Sequence, residues 1–434
     1  MIINRSILTP QNALILVIMS MLTLLLSQCG QTEKAKPRVV ISSDIGGTDP
    51  DDFQSMIHLL MYADLFRIEG LISSPYGPGR KKDFFSIINL YEDDLNQLKE
   101  HSPDFPDAEE LRQICKQGEV LGAPFKGYRN PTEGSEWIIK CAKKAETEPL
   151  WILVWGGLED LAQALYDAPE IKDNIKVYWI GGPNKKWSVN AYSYIASQHS
   201  DLWMIEANAT YRGWFIDSES REDLKGDQFY KNYIEGHGKL GQNFVNHYEG
   251  NIKMGDTPSL AYLMNGDPEN VSGQSWGGSF IRIKRSSKSV FHRNTTTADT
   301  VAAYEVIEWI FDGPEIKLSK DSACFTMKIS NQVWSGYYLG EGKYGVRYSS
   351  KKPEICNYTT SSAIAQLDGL KGQFVSTIPW PGKASPDDYL LGDTWYGDRP
   401  EPQLFLGMQQ GARTVSKHRE AFLIDWAKRW EWIE

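Results

Sequence analysis

Four aspartates, Asp44, Asp49, Asp51 and Asp52, fall within the nine-residue stretch Asp-Ile-Gly-Gly-Thr-Asp-Pro-Asp-Asp. Carboxylates this close repel one another, by roughly 1 kcal/mol per pair at about 4 Å in water and by more where water is excluded. Two arrangements relieve that repulsion. In the first, Asp-Pro-Asp-Asp is a turn followed by a capped helix start, and the positive end of the helix dipole accepts the charge. In the second, a hard divalent cation sits among the carboxylates. Calcium takes about six to eight oxygen ligands, and aspartate is a usual donor. Gly46 and Gly47 permit the tight path that turns several side chains toward one point. A phosphate-binding P-loop is excluded, because no Gly-Lys-Ser/Thr follows.

The flanking residues say what must position this loop. Arg38–Ser43 is a β-branched run, and apolar residues at Met56, Ile57, Leu59, Leu60 and Ala63 recur at helical spacing. A second strand pattern follows at Arg67–Ser73. Strand, loop, helix and strand in this order make a βαβ unit and hence a parallel sheet. Ligands of such sheets bind outside the carboxyl ends of the strands, which is where Asp44 falls. The rhythm continues with strands at Leu150–Trp155, Ile175–Gly181 and Leu202–Ala207, and a helix at Leu158–Tyr166. A further helix is predicted at Asp299–Phe311, with Ala303, Val306, Ile307, Ile310 and Phe311 on one face.

After Asp312-Gly313-Pro314 the texture changes to strand-like pieces, among them GYYLGEGKYGVRY, with a Glu-Gly turn between aromatic arms. Helix returns at Thr414–Trp430. The predicted fold class is α/β, a mostly parallel open sheet with flanking helices plus a small β-rich insert. The boundaries are an α/β domain over 38–312, the insert over 313–378, and a return to the α/β domain over 379–434.

The chain has 434 residues, 41% hydrophobic and 24% charged, ample for a core. A net charge of −10 without a long basic run argues against nucleic acid as a partner. The first 28 residues read as a lipoprotein signal peptide: Arg5, an apolar run over Ala13–Leu26, then Leu-Ser-Gln-Cys ending at Cys29. Residues 29–37 are a tether. The expected location is therefore outside the cytoplasm, periplasmic or at the surface of a bacterium, with the membrane touched only through a lipid on Cys29. Of the other cysteines, Cys115 with Cys141 and Cys324 with Cys356 either pair or remain buried thiols.

The stretch "SSDIGGTDPDDFQSMIHLLMYADLFRIEGLISS" resembles the opening of the nucleoside hydrolase superfamily. More closely, it is similar to an exported nucleoside hydrolase-like family that carries a cellulose-binding label. "WILVWGGLEDLAQAL", "DLWMIEANATYRG", "GHGKLG", "GDTPSLAYLMNGDPENVSGQSWGGSF" and "GARTVSKHREAFLIDWAKRW" extend the resemblance. It implies a calcium ion held by Asp44, Asp52, the carbonyl of Trp155 and Asp256, with Asp44 also the general base. Asp51 would hold a sugar hydroxyl, and Asn190 or Asn208 would contact the sugar. Two departures stand out. Ser42 replaces an outer carboxylate, and Gly255 stands where purine-processing members have a histidine; His237 is the candidate replacement.

Two functions remain open on this reading. One is a calcium-dependent glycoside hydrolase of the N-ribosyl type, in which a metal-activated water and a carboxylate base attack the anomeric carbon. The other is a carbohydrate-binding lipoprotein that keeps the metal without turnover, with Trp276, Trp380, Trp395 and Tyr396 as stacking candidates. The ligand is a small glycosyl compound in the first case and a polysaccharide in the second. A haloacid dehalogenase-type phosphotransferase would need a second Asp at the position of Gly46.

Overall fold

The computed structural model describes residues 35–74 and 77–434. The signal peptide, Cys29 and most of the tether lie outside the described residues. Strands β1 (Arg38–Ser43), β2 (Arg67–Ser73), β3 (Cys115–Gln117), β4 (Leu150–Val154), β5 (Ile175–Ile180), β6 (Met204–Ala207) and β7 (Phe280–Arg282) build the main sheet. A late strand, Trp395–Asp398, joins them, giving the order β3-β2-β1-β4-β5-β6-(395–398)-β7. All neighbours are parallel except β7, which runs antiparallel to Trp395–Asp398.

Every residue of β1 is buried, as expected of a strand covered on both faces by helices. The registers Ser43↔Ser73, Ser42↔Val154, Val154↔Trp179 and Ile180↔Ala207 align the carboxyl ends of five strands along one edge. Helix α1 (Asp51–Met61) leaves that edge, burying Met56, Ile57, Leu59, Leu60 and Met61. Its N-cap is Pro50, without a side-chain cap bond. None of the four loop aspartates is therefore the capping residue, and the cap account of Asp-Pro-Asp-Asp does not hold.

A second sheet, also eight-stranded, is built from strands between Lys288 and Thr377, mostly antiparallel. Its core packs Trp309, Met327, Tyr344, Val346, Cys356 and Phe374. It begins upstream of residue 313, because the predicted helix at Asp299–Phe311 is not a helix. Thr300–Ala302 and Val306–Asp312 are strands, and the latter lies between Lys288–Phe291 and Lys343–Tyr348. A strand buried nearly throughout, as Val306–Phe311 is, shows no clean alternation, and a short apolar run then fits helix and strand periods alike.

The Glu-Gly turn is as read. Glu341 and Gly342 have φ of 53° and 69°, the left-handed pair that a tight hairpin needs. The last helix, Arg419–Trp430, buries Phe422, Leu423, Trp426, Ala427 and Trp430. Cys115, Cys141, Cys324 and Cys356 are all free thiols. No helix among the described residues is long and apolar enough to cross a membrane.

Candidate metal and sugar site

The loops leaving β1, β4, β5 and β6 enclose a cavity of about 370 Å³ at the aligned carboxyl edge. Asp44 follows β1, Asp51 and Asp52 open α1, and Asp256 precedes the helix Thr257–Asn265. One carboxylate oxygen from each of Asp51, Asp52 and Asp256 can be chosen so that all lie within 4.8 Å of one another. Ser43 Oγ donates to Asp52 Oδ1 and thereby fixes that carboxylate against the end of β1. Asp256 Oδ2 is buried and has no hydrogen-bond partner. A buried, unpaired carboxylate oxygen is costly, and a cation would satisfy it.

Electrostatics point the same way. Burial, and then the neighbouring Asp51, push Asp44 up to about 7. Asp51, Asp52 and Asp256 are likewise raised, by burial first and then by a neighbouring carboxylate, Asp52 for both Asp51 and Asp256, and Asp44 for Asp52. Such a group cannot stay ionised together without positive charge. The Lys253 ammonium lies 3.4 Å from Asp49, over the rings of Phe215 and Tyr248, and the Arg212 guanidinium lines the same cavity. The donor set therefore suits a hard divalent cation.

The remaining wall is neutral, aromatic or basic. Trp155 is held by its indole N–H on Ser259 Oγ at 2.9 Å, and its carbonyl accepts from Asn184 Nδ2 at 2.9 Å. Asn184 also donates to the carbonyl of Ile180. Gly156 lets β1 and β4 close around the site, since a Cβ there would lie 3.0 Å from the Asp44 Cβ. Tyr211, Arg212, Phe215 and Trp187 complete the lining with Gln332 and Lys351 from the second sheet.

Of the residues singled out in the sequence, Asp44, Asp51, Asp52, Trp155 and Asp256 line one cavity. It does not bring Asn190, Asn208 or His237 to the cavity, because their polar atoms serve the fold. Asn190 donates to the Ala123 carbonyl. Asn208, fully buried, donates to Glu206 and accepts from the Gly182 N–H. His237 precedes the helix Gly238–Phe244 with Nδ1 2.8 Å from the Ile433 carbonyl. Of the stacking candidates, Trp380 and Trp395 are buried core and Trp276 and Tyr396 pack against the core. Asn184, missed in the sequence, sits in Gly-Gly-Pro-Asn directly after β5, and the carboxyl-end rule applied to that loop would have found it.

Residues 38–280 match the family described as the cellulose-binding Sde182, nucleoside hydrolase-like domain. The chain belongs to that family. Residues 300–363, within the second sheet, match a domain of unknown function, DUF5060. No curated protein matches the chain. Among solved structures it is similar to a nucleoside hydrolase-related protein from Saccharophagus degradans associated with carbohydrate metabolism. The identity there is 17% and the TM-score 0.48, over 80% of this chain and all of that one. An inosine-uridine preferring nucleoside hydrolase from Bacillus anthracis aligns at 16% identity and TM-score 0.35, over 58% of this chain and 87% of the other. A purine-preferring ribonucleoside hydrolase from Gardnerella vaginalis aligns at 14% identity and TM-score 0.36, over 58% and 84%. The Sde182-like family match ends at residue 280, before Gln332 and Lys351, so those cavity residues come from beyond the matched domain.

Proposed function

We propose that the protein is a calcium-dependent glycoside hydrolase, exported, that cleaves an N-ribosyl-type or related glycosyl bond. The observation that carries the proposal is the convergence of Asp44, Asp51, Asp52 and Asp256 on one cavity, with Asp256 Oδ2 buried and unpartnered. Asp44, Asp52, Asp256 and the Trp155 carbonyl would hold the ion. Calcium, when bound, supplies charge that orients sugar hydroxyls and acidifies a water. Asp44 would take a proton from the water as the water's oxygen bonds to the anomeric carbon; the glycosidic bond breaks, its electron pair leaves with the aglycone, and the aglycone takes up a proton from solvent. Asp51 accepts a hydrogen bond from a sugar hydroxyl. Trp155 and Tyr211 line the cavity with these carboxylates.

A binding protein without turnover is the second reading, and one observation favours it. No histidine lines the cavity, and Gly255 stands where purine-processing members have one, with a Cβ there lying 2.6 Å from Asp51 Oδ2. The test is sugar release from nucleosides and nitrophenyl glycosides, with calcium and with chelator. Calcium-dependent release that is lost in Asp44→Asn supports the hydrolase. Calcium binding with no release from any substrate supports the binding protein.

A further inference from the structure

One wall of the cavity does not come from the main sheet. Gln332 opens the strand Gln332–Gly340, and Lys351 lies just past the strand Lys343–Tyr348, both in the second sheet. Both line the cavity beside Trp187, the last residue of the short helix after β5. The Lys186 ammonium donates to Gln332 Oε1, which takes the carbonyl end of that amide and leaves its NH₂ end without a bond among the described residues. Trp187 packs tilted against Trp334 at 4.8 Å, yet 37% of it stays exposed. Lys351 pairs with no carboxylate among the described residues.

These groups have a chemistry of their own. The acidic floor offers only acceptors, suited to a cation and to hydroxyl donors. The second-sheet wall offers an amide NH₂, an ammonium and a supported indole face. Amide and ammonium donate to hydroxyl and ring oxygens, and an exposed indole is a large flat apolar surface with a polar rim. A pyranose has the matching faces, with C–H bonds above and below the ring and oxygens around its edge.

We infer that Trp187, Gln332 and Lys351 form a subsite for a second sugar ring. The cavity then takes a saccharide of at least two rings, one over the acidic floor and the next against the second sheet. This deepens the glycoside reading above and rests on it. It also gives the second sheet a specificity role that the main sheet cannot supply.

The test is calorimetric titration of the calcium-loaded full chain with glucose, ribose, cellobiose and inosine, repeated on Trp187→Ala and Gln332→Ala. Cellobiose should bind about tenfold or more tighter than glucose, a difference of roughly 1.4 kcal/mol. Trp187→Ala should remove that advantage while leaving the monosaccharide affinity in place, which also shows the variant folded. Gln332→Ala, which leaves the Trp187 indole in place but releases the Lys186 ammonium beside it, should lower cellobiose affinity alone by a smaller factor. If wild-type cellobiose binds no tighter than glucose, or inosine loses as much as cellobiose in Trp187→Ala, the second-ring subsite is overturned and the glycoside reading stands. If calcium binds and no saccharide or nucleoside does, both fall.

Discussion

Gly255 and Asp51 are pressed together at the cavity: a Cβ on the glycine would sit 2.6 Å from Asp51 Oδ2. The glycine is therefore what lets the carboxylate stand beside Asp52 and Asp256. Gly255→Ala should displace Asp51 and weaken divalent-cation affinity by about tenfold, with global stability changed by less than about 1 kcal/mol. Calcium titration by calorimetry measures this; an unchanged dissociation constant would show that Asp51 is free to move aside.

Cation binding should stabilise the fold. A ligand that binds only the native state at about 100 times its dissociation constant adds about 2.7 kcal/mol. Calcium should therefore raise Tm in the wild type and fail to do so in Asp52→Asn and Asp256→Asn. A melting response retained in both variants would remove the cation from the account.

Asp44 is expected to act on the reaction more than on the fold. Asp44→Asn keeps the shape of the side chain, relieves repulsion with Asp51, and should leave Tm equal or higher in chelator. Turnover of any substrate the wild type cleaves should fall by about 10²–10⁴, the usual contribution of a general base. Equal rates would exclude Asp44 from proton transfer.

The pH dependence of stability follows from carboxyls remote from the cation site. Burial pushes Glu159 and Asp398 up to about 7, against the hydrogen bonds they accept. Each binds a proton in the folded state at pH values where the unfolded chain, with carboxyls near about 4, has lost it. Their contribution is complete below the unfolded value and is lost as pH rises through about 7. Glu69 runs the other way: burial opposes it, but Arg38 and Lys144 outweigh burial and hold it down to about 2. That contribution fades only below its unfolded value, near about 4. In chelator the protein should melt higher at about pH 5 than at about pH 8. Glu159→Gln should shrink the difference, as followed by scanning calorimetry.

Lys185 and Glu206 form an ion pair at 2.7 Å with both side chains fully buried. Glu206 also accepts from Tyr192, Asn208 and Trp395. Lys185→Met strands the carboxylate and should cost about 3–5 kcal/mol. The double variant Lys185→Met/Glu206→Leu should recover part of the loss in urea denaturation.

The legible parts of this chain are those whose signal is local. Arg38–Ser43 and Arg67–Ser73 have the strand bounds read from the sequence, because buried parallel strands are short apolar runs bounded by polar loops. The acidic loop was legible because four carboxylates within nine residues demand a reason. Val306–Phe311 was misread because partners on both edges and burial on both faces erased its period. Arg212, like Asn184, follows the carboxyl end of a main-sheet strand and lies in a stretch already quoted for the resemblance, whereas Gln332 and Lys351 were missed for another reason. Nothing in their own neighbourhoods marks them, and only the folding of the second sheet onto the loops after β5 and β6 makes them neighbours of Asp44.

The strand Trp395–Asp398 lies between β6 and β7, although the ribosome makes it long after both. Until it arrives, β6 has an open edge and β7 has nothing in the main sheet to pair with. The sheet that carries the acidic loop therefore closes only after the whole second sheet has been synthesised. A fragment ending near residue 280, where the family match stops, would expose the backbone of β6 and invite pairing with other chains. The main sheet is thus completed from both sides of the second sheet in the sequence, and a chain cut anywhere before Trp395 leaves it incomplete.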